Sequence, residues 1–284
     1  MHFYLILSLF LRSFMFINAL KEFFGFVERT REPEGYMSWQ HILFVFILMT
    51  IMVASAVLLG HHYKNRSDKD KNKVLIWAAI AIDAFEIFKI IIVCARSNDP
   101  SLILLNLPLF LCSIQLITIP LAAFSRGRLK EAALDFVFIF GLLGAVLGTI
   151  GAGNIYGSNP VFSFDPIVSG ITHSISGFAT LYIGISGMKS MKKKNIIYTF
   201  AILLSFAVSA YIVNKLIDYN YMFLMRGDGT PYDILLNLVG GSPILYPICV
   251  VLMLVVYILV FYGIYFFIHE RKHHVKHAAK HAHV

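Results

Sequence analysis

Charge is scarce in this chain. Asp, Glu, Lys and Arg make up 14% of its 284 residues, against roughly 25% in a soluble domain, so little is available to solvate a globular surface of that size. Cysteine is scarcer: Cys94, Cys112 and Cys249 form an odd and sparse set, which speaks against a disulfide framework and leaves Cys112 as an expected free thiol. A long polar stretch is also missing. The longest segment without strong hydrophobicity runs from Asp218 to about Leu245, too short to bury a core of its own, so no soluble domain is left over. No small-residue cleavage site follows residues 1 to 26, so a cleaved signal peptide is not expected there.

What the chain has in abundance is apolar sequence. The hydrophobic fraction is 58% and the mean hydropathy +0.74, which places it in the polytopic, all-α membrane class. Residues 1–37 read as an apolar helix over 1–26, interrupted by Arg12, Lys21 and Glu22, that either lies in the membrane interface or makes an extra span, followed by a polar linker. Seven apolar runs then make one transmembrane domain over residues 38–268: Ser38–Gly60, Val74–Cys94, Ser101–Phe124, Glu131–Ile150, Pro166–Gly187, Asn195–Ile217 and Tyr246–Ile268. Residues 269–284 form a basic, His-rich tail.

The net charge of +8 would suggest nucleic acid in a soluble protein, but here the basic residues fall in short clusters between apolar runs. Lys64, Arg66, Lys69, Lys71 and Lys73 occupy one connection, Arg126, Arg128 and Lys130 another, and Lys189, Lys192, Lys193 and Lys194 a third. The intervening loops carry few cations. This alternation orients a multi-pass protein of the cell membrane with its C terminus in the cytoplasm. The tail histidines, His269, His273, His274, His277, His281 and His283, are interspersed with Lys and Arg and read as a basic helix end at an anionic leaflet, so neither a metal nor another cofactor is expected.

Two residues in this apolar background carry chemistry. Cys112 sits mid-way along the third run, and taken alone it is a small, soft packing residue. His173 lies inside the fifth run, where an imidazole is costly to keep and is by default functional. The third and fifth runs cross in the same direction, and the two residues differ in depth by only ~6 Å at 1.5 Å per residue, so they can meet. A thiol beside an imidazole is a nucleophile and base pair: the ring takes the proton and the thiolate attacks an acyl carbonyl to form a thioester.

Leu107-Pro108-Leu109-Phe110-Leu111-Cys112, the intramembrane His173, Asn220-Tyr221-Met222-Phe223-Leu224 after the sixth run and Gly240-Gly241-Ser242-Pro243 before the last resemble the YwaF family of integral membrane proteins. That family is similar to the vertebrate transmembrane-protein-164 acyltransferases, and the resemblance extends from about Ser38 to Ile268. It implies an acyltransferase that moves a fatty acyl chain from a donor phospholipid to a lyso-lipid, with Cys112 as nucleophile and His173 as base. Its partners are then membrane lipids. Ser113 stands where relatives carry a more strongly polar neighbour to the cysteine.

Other polar residues have two readings each. Asp83, Glu86 and Lys89 are spaced by three along one stripe of the second run, where they either pair with one another or supply a carboxylate that orients His173. Gln115, three residues past Cys112, is placed on the same helical face, either as an oxyanion donor or as interhelical glue. His41, Asn220 and Tyr221 are expected to cluster on the outer side, as headgroup ligands or interfacial anchors. Two readings compete with the acyltransferase. A transporter or lipid-binding protein would build its site from discontinuous helices, and a thiol-dependent lipid hydrolase would pass the acyl group to water.

Overall fold

The structure is a computed structural model in which residues 15–281 are described, with side chains to His269. Among the described residues it is all-α, with ten helices: α1 (15–24), α2 (Trp39–Tyr63), α3 (Asp68–Ser97), α4 (Gln115–Phe124), α5 (Gly127–Thr149), α6 (Gly153–Ser158), α7 (Phe164–Ser186), α8 (Ile196–Ile217), α9 (Tyr232–Leu238) and α10 (Leu245–His281). Four helical stretches are long and apolar enough to cross a membrane: Trp39–Tyr63, Gly127–Ser158, Lys193–Ile217 and Leu245–His269. These make it a multi-pass membrane protein. The expected N-terminal interfacial helix is described only from residue 15, and the readings placed on residues 1–14 and on the side chains of residues 270–284 lie outside the described part.

Helix α7 is the centre of the bundle, packed on α5, α2 and α3. Its polar residues are spent on neighbours. Thr180 Oγ1 donates to the Val137 carbonyl at 2.8 Å and Ser176 Oγ to the Gly141 carbonyl at 3.2 Å, interhelical bonds of the kind that hold helices together where hydrophobic driving force is weak. At one end of the bundle Asp165 of α7 pairs with Arg96 of α3 at 2.8 Å and with Arg29 at 3.0 Å, and Phe88 meets Phe24 and Phe164 edge to face. At the other end Tyr182 Oη donates to the Lys71 carbonyl at 3.0 Å and Lys130 bonds Asn72 at 2.6 Å.

A fully buried carboxylate locks that second end to α8 and α10. Asp135 on α5 accepts the Ser190 and Met191 N–H groups at 3.1 and 2.7 Å, the Asn195 amide at 3.0 Å and the Tyr262 hydroxyl at 3.0 Å. Four donors replace the water such a charge gives up on burial.

The third apolar run departs most from expectation. It is not one helix from Ser101 to Phe124: a 3₁₀ turn covers Pro100–Leu105, residues 106–114 form no α-helix, and α4 adds only ten residues. The sequence supplies the break. Pro108 has no N–H and biases Leu107 away from helical backbone. Ser113 Oγ takes the Phe110 N–H at 3.0 Å and returns a bond to the Phe110 carbonyl at 3.1 Å, which competes with the helical ladder.

Candidate functional site

Cys112 therefore sits in a turn, not on a helical face, at the head of the half-helix α4. Backbone freed at such a break must be satisfied inside the protein. Tyr221 does this from more than a hundred residues away: its buried hydroxyl donates to the Leu104 carbonyl at 2.6 Å and accepts the Leu107 N–H at 3.1 Å. Asn214 on α8 in turn grips the Tyr221 backbone, taking its N–H at 2.6 Å and donating to its carbonyl at 3.0 Å. A chain of bonds thus runs from α8 to the turn that presents the thiol.

His173 projects from the middle of α7. Its Nδ1 lies 2.7 Å from the Ser169 carbonyl one turn earlier and 3.4 Å from the Ser169 hydroxyl. A carbonyl only accepts, so Nδ1 carries the hydrogen and Nε2 is left with the free lone pair. Cys112 lines the same cavity as the imidazole, and the tautomer leaves Nε2 free to receive a proton from a thiol there.

Helix α5 makes room for both groups by lacking two side chains. A Cβ on Gly148 would fall 1.9 Å from His173 Cδ2 and 2.1 Å from Nε2, while one on Gly144, a turn away, would fall 3.4 Å from Cys112 Cα. The ring lies against the backbone of α5 at a point where only glycine leaves it room. A methyl group there and the ring cannot occupy the same place.

Both residues face a cavity of about 280 Å³ between α3, α7 and the broken segment. Its wall is mixed. Ile82, Leu105, Leu107, Phe110 and Leu116 are apolar, and Glu86, Lys89, Asn106, Ser113, Ser169, Thr172 and Tyr219 are polar. Lys89 and Glu86 pair at 2.5 Å with side chains 21% and 11% exposed. Counted along the helices, Lys89 is ~12 Å from the Ser97 end of α3 and His173 ~14 Å from the Phe164 end of α7, so the cavity lies in the half of the bundle that carries Arg96 and Asp165.

The remaining expected site residues fall elsewhere. Asp83 is half-buried and forms no ion pair among the described residues, and neither it nor Glu86 is hydrogen-bonded to the His173 ring. Gln115 is fully buried as the first residue of α4; its Oε1 accepts from Thr118 at 3.1 Å, and its Nε2 has no partner among the described residues. His41 is also buried, accepting the Met37 N–H at 3.1 Å and meeting the Thr149 carbonyl at 3.2 Å, with its ring 4.0 Å from that of Tyr156. Both of its nitrogens are used. Asn220 folds the loop after α8, donating to Arg226 and Asp228 at 2.8 and 2.7 Å and accepting the Met225 N–H at 2.9 Å. His41 thus packs with Thr149 and Tyr156, while Asn220 and Tyr221 brace the loop after α8 and the broken segment. Ser169, Gly144, Gly148 and the supporting Asn214 were not singled out from the sequence; glycines at 141, 144 and 148, spaced as one helical stripe, were the available signal.

These features define an all-α, multi-pass membrane protein with a thiol and an imidazole on the wall of an amphiphilic cavity. Residues 36–265 match the TMEM164 family, and the chain belongs to that family. Every residue of the cavity lies inside the matched range. Comparison with curated proteins and with solved structures gave no match.

Proposed function

We propose that the protein is a cysteine-dependent acyltransferase that moves a fatty acyl chain from a glycerophospholipid to a lyso-lipid. The observation that carries this reading is the thiol and imidazole on one cavity wall, the ring already fixed in the tautomer a base requires. Family membership supports the same chemistry. In the first half-reaction Nε2 of His173 takes the Cys112 proton, and the thiolate adds to the ester carbonyl of the donor. The imidazolium then protonates the departing glycerol oxygen, leaving a thioester on Cys112 and a lyso-lipid. In the second, Nε2 takes the proton of an acceptor hydroxyl, whose oxygen displaces the thiolate, and the imidazolium reprotonates the sulfur. Every atom and charge is returned, and no cofactor enters.

The span count belongs to this proposal too. Helices α3 and α7, 30 and 23 residues long, reach ~45 and ~35 Å and can cross a ~30 Å core alongside the four apolar stretches. With the broken segment 100–124 they give seven crossings of the cell membrane, the basic connections and the C terminus lying in the cytoplasm. The YwaF placement rests on motif resemblance.

Purified protein incubated with a phospholipid should gain the mass of one acyl chain, removable by hydroxylamine and absent in Cys112→Ser. A parent protein that never gains it, with any glycerolipid supplied, defeats the thioester reading. A broken helix beside a cavity is also how carriers build their sites. Cys112→Ala separates the classes, since a carrier keeps its flux and the enzyme loses turnover.

A further inference from the structure

The cavity wall contains a charge pair that the acyl-transfer steps do not use. Lys89 and Glu86 lie one turn apart on α3, both facing the space that Cys112 and His173 line. Two charges in the interior of a helix bundle are expensive, and replacing such a pair by apolar residues of similar volume is often neutral or stabilising. Satisfying one another is therefore a weak reason for their being there.

Their geometry gives a stronger one. An ammonium has three N–H donors. One of those on Lys89 is taken by the Glu86 carboxylate, and the others have no acceptor among the described residues. Lysines in membrane helices ordinarily stretch toward the nearer interface. This one is instead held by Glu86 on the wall of the cavity that His173 also lines. The carboxylate makes a buried ammonium affordable and aims it. The apolar residues of the same wall, Leu105, Leu107, Phe110 and Leu116, suit the chain of the same ligand.

We infer that Lys89, positioned by Glu86, is the residue that binds the phosphoryl group of the lipid substrate inside the cavity. This rests on the acyltransferase reading for what happens at Cys112, but it makes a claim about recognition that is separable from chemistry. The phosphoryl oxygens occupy the open donors of Lys89, and the ester carbonyl a few bonds away is thereby brought to the thiol. Selectivity for phosphate-bearing over neutral glycerolipids follows. Arginine can replace Lys89 because it offers more donors to the same oxygens, whereas methionine fills the space without donating.

The test has two arms on full-length protein in detergent or nanodiscs. In the first, the rate of acyl addition to Cys112 is compared with dioleoylphosphatidylcholine and with dioleoylglycerol, which lacks the phosphate. The ratio of the two rates should fall at least tenfold in Lys89→Met, through a higher KM for the phospholipid, and be restored in Lys89→Arg. In the second, native mass spectrometry of the Cys112→Ala protein measures retention of the same two lipids, with and without Lys89→Met. Here too the preference for phospholipid should collapse, and excess inorganic phosphate should not displace the lipid. An unchanged preference in both arms, or a parallel loss of both lipids, overturns the assignment of Lys89. Displacement by inorganic phosphate would make this a free-phosphate site and overturn the lipid assignment. If no acylation occurs but the binding preference tracks Lys89, the acyltransferase reading falls and the phosphoryl site stands.

Discussion

Gly148→Ala is the smallest change that should disable the site. The added methyl carbon would lie 1.9 Å from His173 Cδ2 and 2.1 Å from Nε2. Carbon atoms in contact sit at about 3.5–4.0 Å, so the ring has to retreat by roughly 1.5 Å. It is not free to do so cheaply, because Nδ1 is bonded to the Ser169 carbonyl at 2.7 Å. A 1 Å misplacement of a catalytic group costs ~10²-fold, and loss of a general base ~10²–10⁴-fold, so acyl addition to Cys112 should slow by about two orders of magnitude. Stability should change far less. Overpacking costs about 1–3 kcal/mol, and Gly to Ala inside a helix returns up to ~1 kcal/mol, which leaves the fold intact. Gly144→Ala is the matched control on the same helix: its methyl would stand 3.4 Å from Cys112 Cα and 3.6 Å from Cβ, ordinary contact distances, so the rate should remain within a few-fold of the parent. The assay is the initial rate of the hydroxylamine-sensitive mass gain, with thermal unfolding followed on the same samples. Parent-like acylation by a folded Gly148→Ala protein would refute the placement of the ring as the working base.

Four further outcomes are expected. His173→Gln should lower acyl addition ~10²–10⁴-fold while melting near the parent temperature, and an unchanged rate would remove it from the mechanism. Tyr221→Phe deletes the hydroxyl that serves both the Leu104 carbonyl and the Leu107 N–H, so it should destabilise by ~1–3 kcal/mol, measured by thermal unfolding, and slow acylation without touching substrate. Asp135→Ala leaves four donors unpaired at the far end of the bundle, and should cost ~3 kcal/mol or more in stability, with Asp135→Asn intermediate; a silent Asp135→Ala would show that water reaches that carboxylate. In intact cells an impermeant thiol reagent should label Ser158→Cys and spare Asn65→Cys, and the reverse pattern would invert the proposed orientation.

His173 was legible because an imidazole in an apolar run is conspicuous, and Cys112 because it stood alone among leucines. Both signals are local. The charge stripe on α3 was equally visible, yet its two readings could be told apart only by seeing Glu86 paired with Lys89 and the His173 ring bonded to Ser169 instead of a carboxylate. His41 and Asn220 show the limit from the other side. Polar residues near span ends read as headgroup ligands, but a backbone that bends also consumes polar side chains, and the structure spends them on Met37, Thr149 and Met225.

The break in the third run was hidden for a different reason. A hydropathy window counts apolar side chains and is blind to whether each carbonyl finds an N–H four residues on. Pro108 and Ser113 were local hints, but a proline also occurs within α4, at Pro120, where the helix continues. What separates the two cases is Tyr221: its hydroxyl is there to satisfy the broken backbone near Pro108, and it comes from a segment that no local pattern connects to this one. The same holds for the space around the ring. It exists because α5 carries nothing at Gly148, and an absent side chain becomes a feature only when the neighbour that fills the gap is known. The sequence therefore displays the reacting groups, whereas the turn that presents the thiol and the notch that seats the base are made by pairs of residues distant along the chain.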